Sequence, residues 1–493
     1  MAGATGLAFG LRVAGLGFQS LWRDEVDAIR FASQPLADLL RSFATPGHNG
    51  PLYHLLLHPW LEVAGSSEFA LRFFSVFWGV LAVPLAYRLA RRLFPALTSL
   101  ALVAALLVVT SPYLVWYGQE GKMYAFVATL VLLSVERLVA AVERGGWPRW
   151  LAYVLVTAPL PYVHLVAALI VPAQAVAVWV HRGRTGLGHW WPWLASLAAL
   201  ALPYVVLLIW LVPLLLEGAN TGYRFLPLHE MLFSLWRSYS HGVVEGTPQW
   251  TLALPGTLLL AAALLRSGSR RRRASLVLLA CWLVVPPLGF FVITLLRPLY
   301  AARYLIFVVP AYLILLSAGV VALAQRSRLL AGLLLVALLL LNARGVWFQA
   351  RIPLKADFRA ATRYVKDRLD PTDLILFQIP YGRHTFEYYY RCSGTPTPRQ
   401  EGRVQVTLPW LARSEGSLFR WAEGPYTNAG MPDQEVERRM VEITGSSHVV
   451  WLIASEVPLW DERGQVQAWL EQQAKRTREA RFVRVTVYRY ELR

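Results

Sequence analysis

Apolar stretches about 20 residues long, broken by short polar ones, run through the first 347 residues and then stop. They predict eleven transmembrane helices, near 2–20, 69–89, 97–116, 123–142, 149–162, 165–181, 190–216, 251–265, 275–296, 304–323 and 329–347. The first is short before Arg12 and reads as a clipped span. The stretch from Trp150 to Val180 is long for one span and short for two, and Pro159, Pro161, Tyr162 and His164 in its middle predict a bend. Charge decides the count. With two spans there, the clusters Arg88/Arg91/Arg92, Arg137/Arg144/Arg149, Arg182/Arg184, Arg270 to Arg273 and Arg326/Arg328 all fall on one side, as the positive-inside rule requires. The loop 21–68 and the C-terminal region then face the outside.

The outer loop has a pattern of its own. Asp24 to Ser33 can form one short helix. Pro35 is placed as the first residue of a second, with Ser33 or Gln34 as its cap. Leu36, Leu39, Leu40 and Phe43 give that second helix one apolar face, as on an interfacial helix. Gly47 to Pro51 then breaks the chain before the apolar run Leu52 to Trp60. Beyond residue 350 the periods shorten. Phe358 to Leu369 reads as a helix and Asp370 to Asp373 as a turn. Leu374 to Phe377, His448 to Ala454 and Phe482 to Tyr490 read as strands, and Val466 to Ala474 as a helix. The fold class is therefore a polytopic α-helical membrane protein, residues 1–348, with an extracytoplasmic α/β domain, residues 349–493.

Composition agrees: 56% of residues are hydrophobic and only 16% charged. The net charge of +18 fits cytoplasmic Lys/Arg loops and contact with anionic lipid. No nucleic-acid motif accompanies it, so no nucleic-acid partner is expected. Cys281 and Cys392 lie in different regions and imply no disulfide framework. No CxxC, HExxH or Gly-rich phosphate loop is present, and the N-terminus lacks the basic region and cleavage site of a signal peptide.

Three polar constellations fall at the expected outer face. The first is Asp24-Glu25, directly after the first apolar segment. Two readings stand side by side: carboxylates offsetting a helix dipole, or a general base that takes a proton from a hydroxyl. The second is Tyr117 to Tyr124, where Glu120 and Lys122 either sit in the headgroup layer or face a cleft with Tyr124. The third is Arg297 to Tyr304, where Arg303 either snorkels to lipid or holds phosphate with its planar fork. His48 and His164 come out at the same face. Asp24, Glu120 and a His could hold a divalent metal, although their spacing is not diagnostic and no cofactor is required.

The chain resembles the GT-C superfamily of polyprenyl-phosphate-sugar-dependent glycosyltransferases. Within it, the chain is similar to the bacterial branch related to protein O-mannosyltransferases and lipid A aminoarabinose transferases. The segments that carry the resemblance are Ser20 to Glu25, Pro51-Leu52-Tyr53, Phe69 to Arg72, Gln119 to Tyr124 and Arg303-Tyr304, in the family's order. One position departs from the pattern: Glu120-Gly121-Lys122 stands where the family usually has Glu-Ala-Arg, which keeps the charge but loses bidentate phosphate binding. Asp357 to Ala361 and Tyr388-Tyr389 resemble the outer domains of such enzymes, and for Phe386, Tyr388, Tyr389 and Tyr390 core packing is expected ahead of the alternative, stacking on a sugar. The resemblance implies a multi-pass enzyme of the plasma or inner membrane. It would move a hexosyl or pentosyl group from a polyprenyl-phosphate donor to a hydroxyl of a protein, lipid or glycan, with inversion. It implies Asp24 as base and Glu25 as its support. Arg303 and Lys122 would hold the donor phosphate, and Glu120, His48, Tyr124 and His164 would position the substrates. Rival readings are a flippase or transporter of lipid-linked sugars, a non-catalytic glycolipid binder, and a metal-dependent transferase.

Overall fold

A computed structural model of the chain describes residues 1–45, 49–181, 190–216, 223–243, 254–264, 269–392, 419–445 and 447–493. Two compact units emerge. One comprises Met1–Leu16, Pro35–Leu57 and Arg72–Arg351, and the other Gly17–Gln34, His58–Leu71 and Ile352–Arg493. The second unit thus takes in two pieces of the expected outer loop.

The first unit is helical. Among the described residues five helices are long and apolar enough to cross a membrane: Glu68–Leu93, Tyr124–Arg144, Arg271–Leu296, Ala302–Ala324 and Arg328–Arg351. The bent pair Thr98–Thr110 and Pro112–Gly118 makes a sixth if taken as one span. Shorter apolar helices occupy other predicted spans, among them Trp147–Thr157, Ile170–His181 and Leu254–Leu264. The bend predicted near Pro159 is present: Trp147–Thr157 gives way to a short turn at Leu160–Val163, an extended His164 and a 3₁₀ segment at Leu165–Leu169.

The first helix, Ala2–Val13, is shorter than the 2–20 expected, and Arg12 lies in its last turn. The partners of Arg12 lie across the bundle. Pro112 has no amide hydrogen, so the carbonyl of Val108 four residues earlier loses its helical donor, and the pair of helices bends by 54°. The fully buried Arg12 supplies donors there. One guanidinium nitrogen donates to Val108 O at 3.2 Å and the other to Val109 O at 3.4 Å. Gly79 and Gly118 make the room, since a Cβ on either would lie 2.8 or 3.1 Å from the Arg12 Nε.

Arginines from three predicted one-sided clusters meet at one end of this unit. Buried Glu136 pairs with Arg88 at 3.4 Å, Arg92 at 3.2 Å and Arg137 at 2.8 Å. Glu143 pairs with Arg271 at 2.6 Å and Arg92 at 3.7 Å. The Arg182/Arg184 cluster lies outside the described residues.

The second unit contains a five-stranded sheet in the order β2-β1-β3-β5-β4. The strands are β1 Leu374–Phe377, β2 Arg420–Glu423, β3 Val449–Ser455, β4 Ala474–Phe482 and β5 Val485–Leu492. β1 runs parallel to β2 and β3, while β5 is antiparallel to both β3 and β4. Leu374, Leu376, Val450, Leu452 and Tyr490 form one core face with Met440, Val466 and Leu470 from the helices. β2 and β4 were not expected. β4 is an edge strand with Lys475, Arg476, Arg478 and Arg481 along it, a charged pattern that hides its period and blocks edge pairing. In the outer-loop pieces, Arg23–Ala32 is helical as expected. Pro35 caps the short helix Leu36–Arg41 from outside instead of opening it.

Candidate functional site

In the second unit the segment 17–25 is bound by its neighbours at almost every residue. Gln19 Oε1 accepts from the amides of Leu354 and Lys355 at 2.9 and 3.2 Å, and its Nε2 donates to Ile352 O at 2.8 Å. The Leu21 amide donates to the Tyr389 hydroxyl oxygen at 2.6 Å. That hydroxyl in turn donates to Glu68. Arg359 clamps the same carboxylate, with Nε 3.1 Å from one oxygen, and donates to Gly17 O at 3.0 Å and Gln19 O at 3.1 Å. Burial and the Glu68 carboxylate push the Tyr389 hydroxyl well above its ordinary pKa. Burial alone would lower Arg359, but Glu68 outweighs it and the net shift is upward. Both groups are held in their hydrogen-bonding states.

This framework presents the helix Arg23–Ala32, whose first turn is Arg23-Asp24-Glu25. Glu25 is fully buried. Its Oε2 accepts from Lys355 Nζ at 2.9 Å and from the Trp22 amide at 3.4 Å, so it closes the helix start while neutralising a buried lysine. Asp24 is half-buried and makes no hydrogen bond or ion pair with any described residue. The two carboxylates predicted as one pair therefore have different surroundings. Of the aromatic run downstream, Phe386, Tyr388 and Tyr389 are buried as expected, whereas Tyr390 is half-buried.

In the first unit Arg303 sits in a nest of aromatic groups. Its Nε donates to the Tyr124 hydroxyl at 3.0 Å and a terminal nitrogen to the Tyr223 hydroxyl at 3.3 Å. Tyr223 and Tyr304 share a hydroxyl–hydroxyl bond of 3.0 Å. Tyrosine hydroxyls orient a guanidinium without neutralising it. The His164 ring lies between Tyr124 and Tyr304, at centroid distances of 6.1 and 5.3 Å. His164 is 2% exposed, and neither ring nitrogen has a hydrogen-bond partner among the described residues. The charges of Arg303 and Lys122 both reach it. Glu120 is buried in the same turn, and Gln119 beside it donates to the carbonyls of Leu11, Arg12 and Ala14. Arg303, Lys122, Tyr124 and His164 are thus brought together, whereas His48 lies outside the described residues. Among the described residues no three His, Cys, Asp or Glu side chains gather as a metal site.

Sequence reasoning missed Lys355, Glu68 and Tyr223. Nothing local marks them, because each acts on a residue far away in the chain. Arg12 carried a signal, since an arginine inside an apolar run needs a partner, and Ser111-Pro112 was the place to look for one.

The arrangement defines a polytopic membrane protein with a cation-bearing aromatic nest and a separate α/β unit. Residues 48–210 match the family described as dolichyl-phosphate-mannose-protein mannosyltransferase. The structure of ArnT from Cupriavidus metallidurans in the apo state is similar, with a TM-score of 0.60 at 14% identity over 99% of this chain and 97% of that one. The same protein bound to undecaprenyl phosphate gives 0.59 at 14% identity, with 99% and 97% covered. The arabinofuranosyltransferase AftD from mycobacteria gives 0.50 at 15% identity, over 100% of this chain and 39% of that one. No curated protein matches the chain in sequence. At 14% identity over nearly the whole of both chains, the likeness to ArnT is one of fold.

Proposed function

We propose that this protein is a glycosyltransferase of the plasma or inner membrane that moves a sugar from a polyprenyl phosphate to a hydroxyl acceptor on the extracytoplasmic side. Arg303 carries the reading. It is a half-buried guanidinium held on tyrosine hydroxyls, beside a histidine with two unpartnered nitrogens and within reach of a lysine's charge. Buried polar atoms without partners mark a place where a ligand belongs. An anionic phosphate suits this one, and the fold is shared with a protein solved with undecaprenyl phosphate bound. The transmembrane module is residues 1–348 without the pieces 17–34 and 58–71. Residues 349–493 form the outer domain, to which the pieces 17–34 and 58–71 attach.

The chemistry is a single displacement. The acceptor oxygen attacks the anomeric carbon, its proton passes to the Asp24 carboxylate, and the bond from the anomeric carbon to the phosphate oxygen breaks. The configuration inverts. Lipid phosphate is a weak base, so it leaves without a dedicated acid and needs only positive charge, supplied by Arg303 and Lys122. Lys122 acts as a point charge where an arginine would grip with two bonds. Glu25, tied to Lys355 and the Trp22 amide, fixes the turn that carries Asp24. Glu120, His48, Tyr124 and His164 position donor and acceptor.

The test is a pair of variants in purified protein. Asp24→Asn should lower turnover by roughly 10²–10⁴-fold, the usual contribution of a general base, with donor binding unchanged. Arg303→Ala should weaken binding of undecaprenyl phosphate. Wild-type turnover in the first, or unchanged affinity in the second, removes the corresponding role.

A further inference from the structure

In the order β2-β1-β3, the chain leaves β1 toward one neighbour and later returns on its other side. In open α/β sheets such a reversal splays the following loops and opens a crevice beyond the strands' carboxyl ends. Here the rule places the crevice between the loop after β1, which leads into helix Gly382–Cys392, and the loop after β3, which leads into helix Val457–Trp460. The Tyr381 hydroxyl spans it, donating to Glu456 Oε2 at 2.8 Å. Glu456 is exposed and holds a φ of +50°, a left-handed conformation that a non-glycine residue adopts at a cost. Burial and the Glu456 carboxylate both raise the Tyr381 pKa, so the bridge stays protonated.

Aromatic groups line the same edge. Trp460 Nε1 donates to Gly424 O at 3.2 Å, and Gly424 bonds to Phe377 O at the end of β1. The Trp460 ring lies 4.5 Å from that of Tyr426, tilted by 42°, and both are half-buried. The Arg23 guanidinium covers the Tyr381 ring at 3.8 Å. Arg23 and Asp24 both lie in the first turn of the helix Arg23–Ala32.

We propose that this crevice is the acceptor subsite and that the acceptor is a saccharide. The proposal rests on the transferase reading and names the substrate class for it. Half-exposed aromatic faces suit the C–H face of a sugar ring, while Glu456 and Arg23 supply an acceptor and donors for its hydroxyls. A peptide acceptor finds less here. β1 and β3 are interior strands and offer no free edge for an added strand. In the bound state one sugar hydroxyl reaches Asp24 and becomes the nucleophile of the displacement described above.

The test uses the full-length protein in nanodiscs and saturation-transfer NMR. The probes are mannotriose, chitobiose, an arabinofuranose trisaccharide and a Ser/Thr-rich peptide. At least one saccharide should bind. Trp460→Ala should weaken it by roughly tenfold, and Trp460→Phe, which keeps a ring, should restore most of it. The exposed Glu456→Gln should also weaken binding and carries little risk to folding. Asp24→Asn should leave binding intact. Absence of binding by every saccharide, binding indifferent to Trp460→Ala and Glu456→Gln, or capture of the peptide alone overturns the proposal. The two readings fail separately. Saccharide binding with normal turnover in Asp24→Asn sinks the proposed base and spares the subsite, whereas lost turnover without saccharide binding does the reverse.

Discussion

Replacing Arg12 by leucine should cost stability in a way that depends on Pro112. The guanidinium donates to Val108 O and Val109 O, and both bonds are buried. Losing them strands two carbonyls at about 1–3 kcal/mol each, offset in part because a buried cation is no longer desolvated. The single-variant cost is therefore a sum of opposed effects and tests little. The double-mutant cycle isolates one of them. Pro112→Ala restores the amide that Val108 O lacks, so in that background Arg12→Leu strands one carbonyl fewer. The two substitutions should couple favourably by about 1–3 kcal/mol, the penalty for one buried carbonyl. Reversible unfolding in mixed SDS micelles, followed by tryptophan fluorescence, measures each corner. Additivity within about 0.5 kcal/mol would refute the account, because independent sites add to that precision. The link to function is close. Gly118 packs against the Arg12 side chain and Gln119 binds three carbonyls at the end of the first helix, so the same contacts seat Glu120, Lys122 and Tyr124.

Lys355→Met should destabilise the second unit by about 3–5 kcal/mol, because it strands the buried Glu25 carboxylate, and Glu25→Leu combined with it should recover most of that loss. Chemical denaturation monitored by circular dichroism decides this, and a double variant no better than the single one would count against the pairing. Gly319→Ala should also destabilise, since its Cβ would fall 1.9 Å from Leu259 O and force Leu254–Leu264 away from Val309–Ala324. A cost of about 1–3 kcal/mol is expected for such overpacking, and an unchanged melting temperature in detergent would contradict the close helix approach.

What the sequence made legible follows the physical signal in each segment. Long apolar runs and strands with buried faces announce themselves, and so β1 and β3 lie within a residue of their expected positions. β2 and β4 carry polar and charged side chains on exposed edges, so their strand character comes from pairing with β1 and β5 and not from their own pattern. The cation nest was half visible. Arg303, Lys122, Tyr124 and His164 stood out as polar groups at the ends of apolar runs. Tyr223, across a long sequence gap from Arg303, joins it only through the fold.

The sharpest separation falls between neighbours. Asp24 and Glu25 have nearly the same chemistry and looked alike in the sequence. A helix turns about 100° per residue, so adjacent side chains cannot share a face. In this helix the step takes Glu25 into the core, where Lys355 answers its charge, and leaves Asp24 half-buried without a described partner. The same distinction sorts several other ionisable groups. Buried Glu136 and half-buried Glu68 are accounted for by arginines, and Arg12 by the carbonyls of a broken helix. His164 is not accounted for by any described residue. A buried carboxylate whose charge the fold already satisfies has little left to offer a substrate. By that criterion Asp24 and His164 have chemistry to spare, and Glu25 holds the first of them in place.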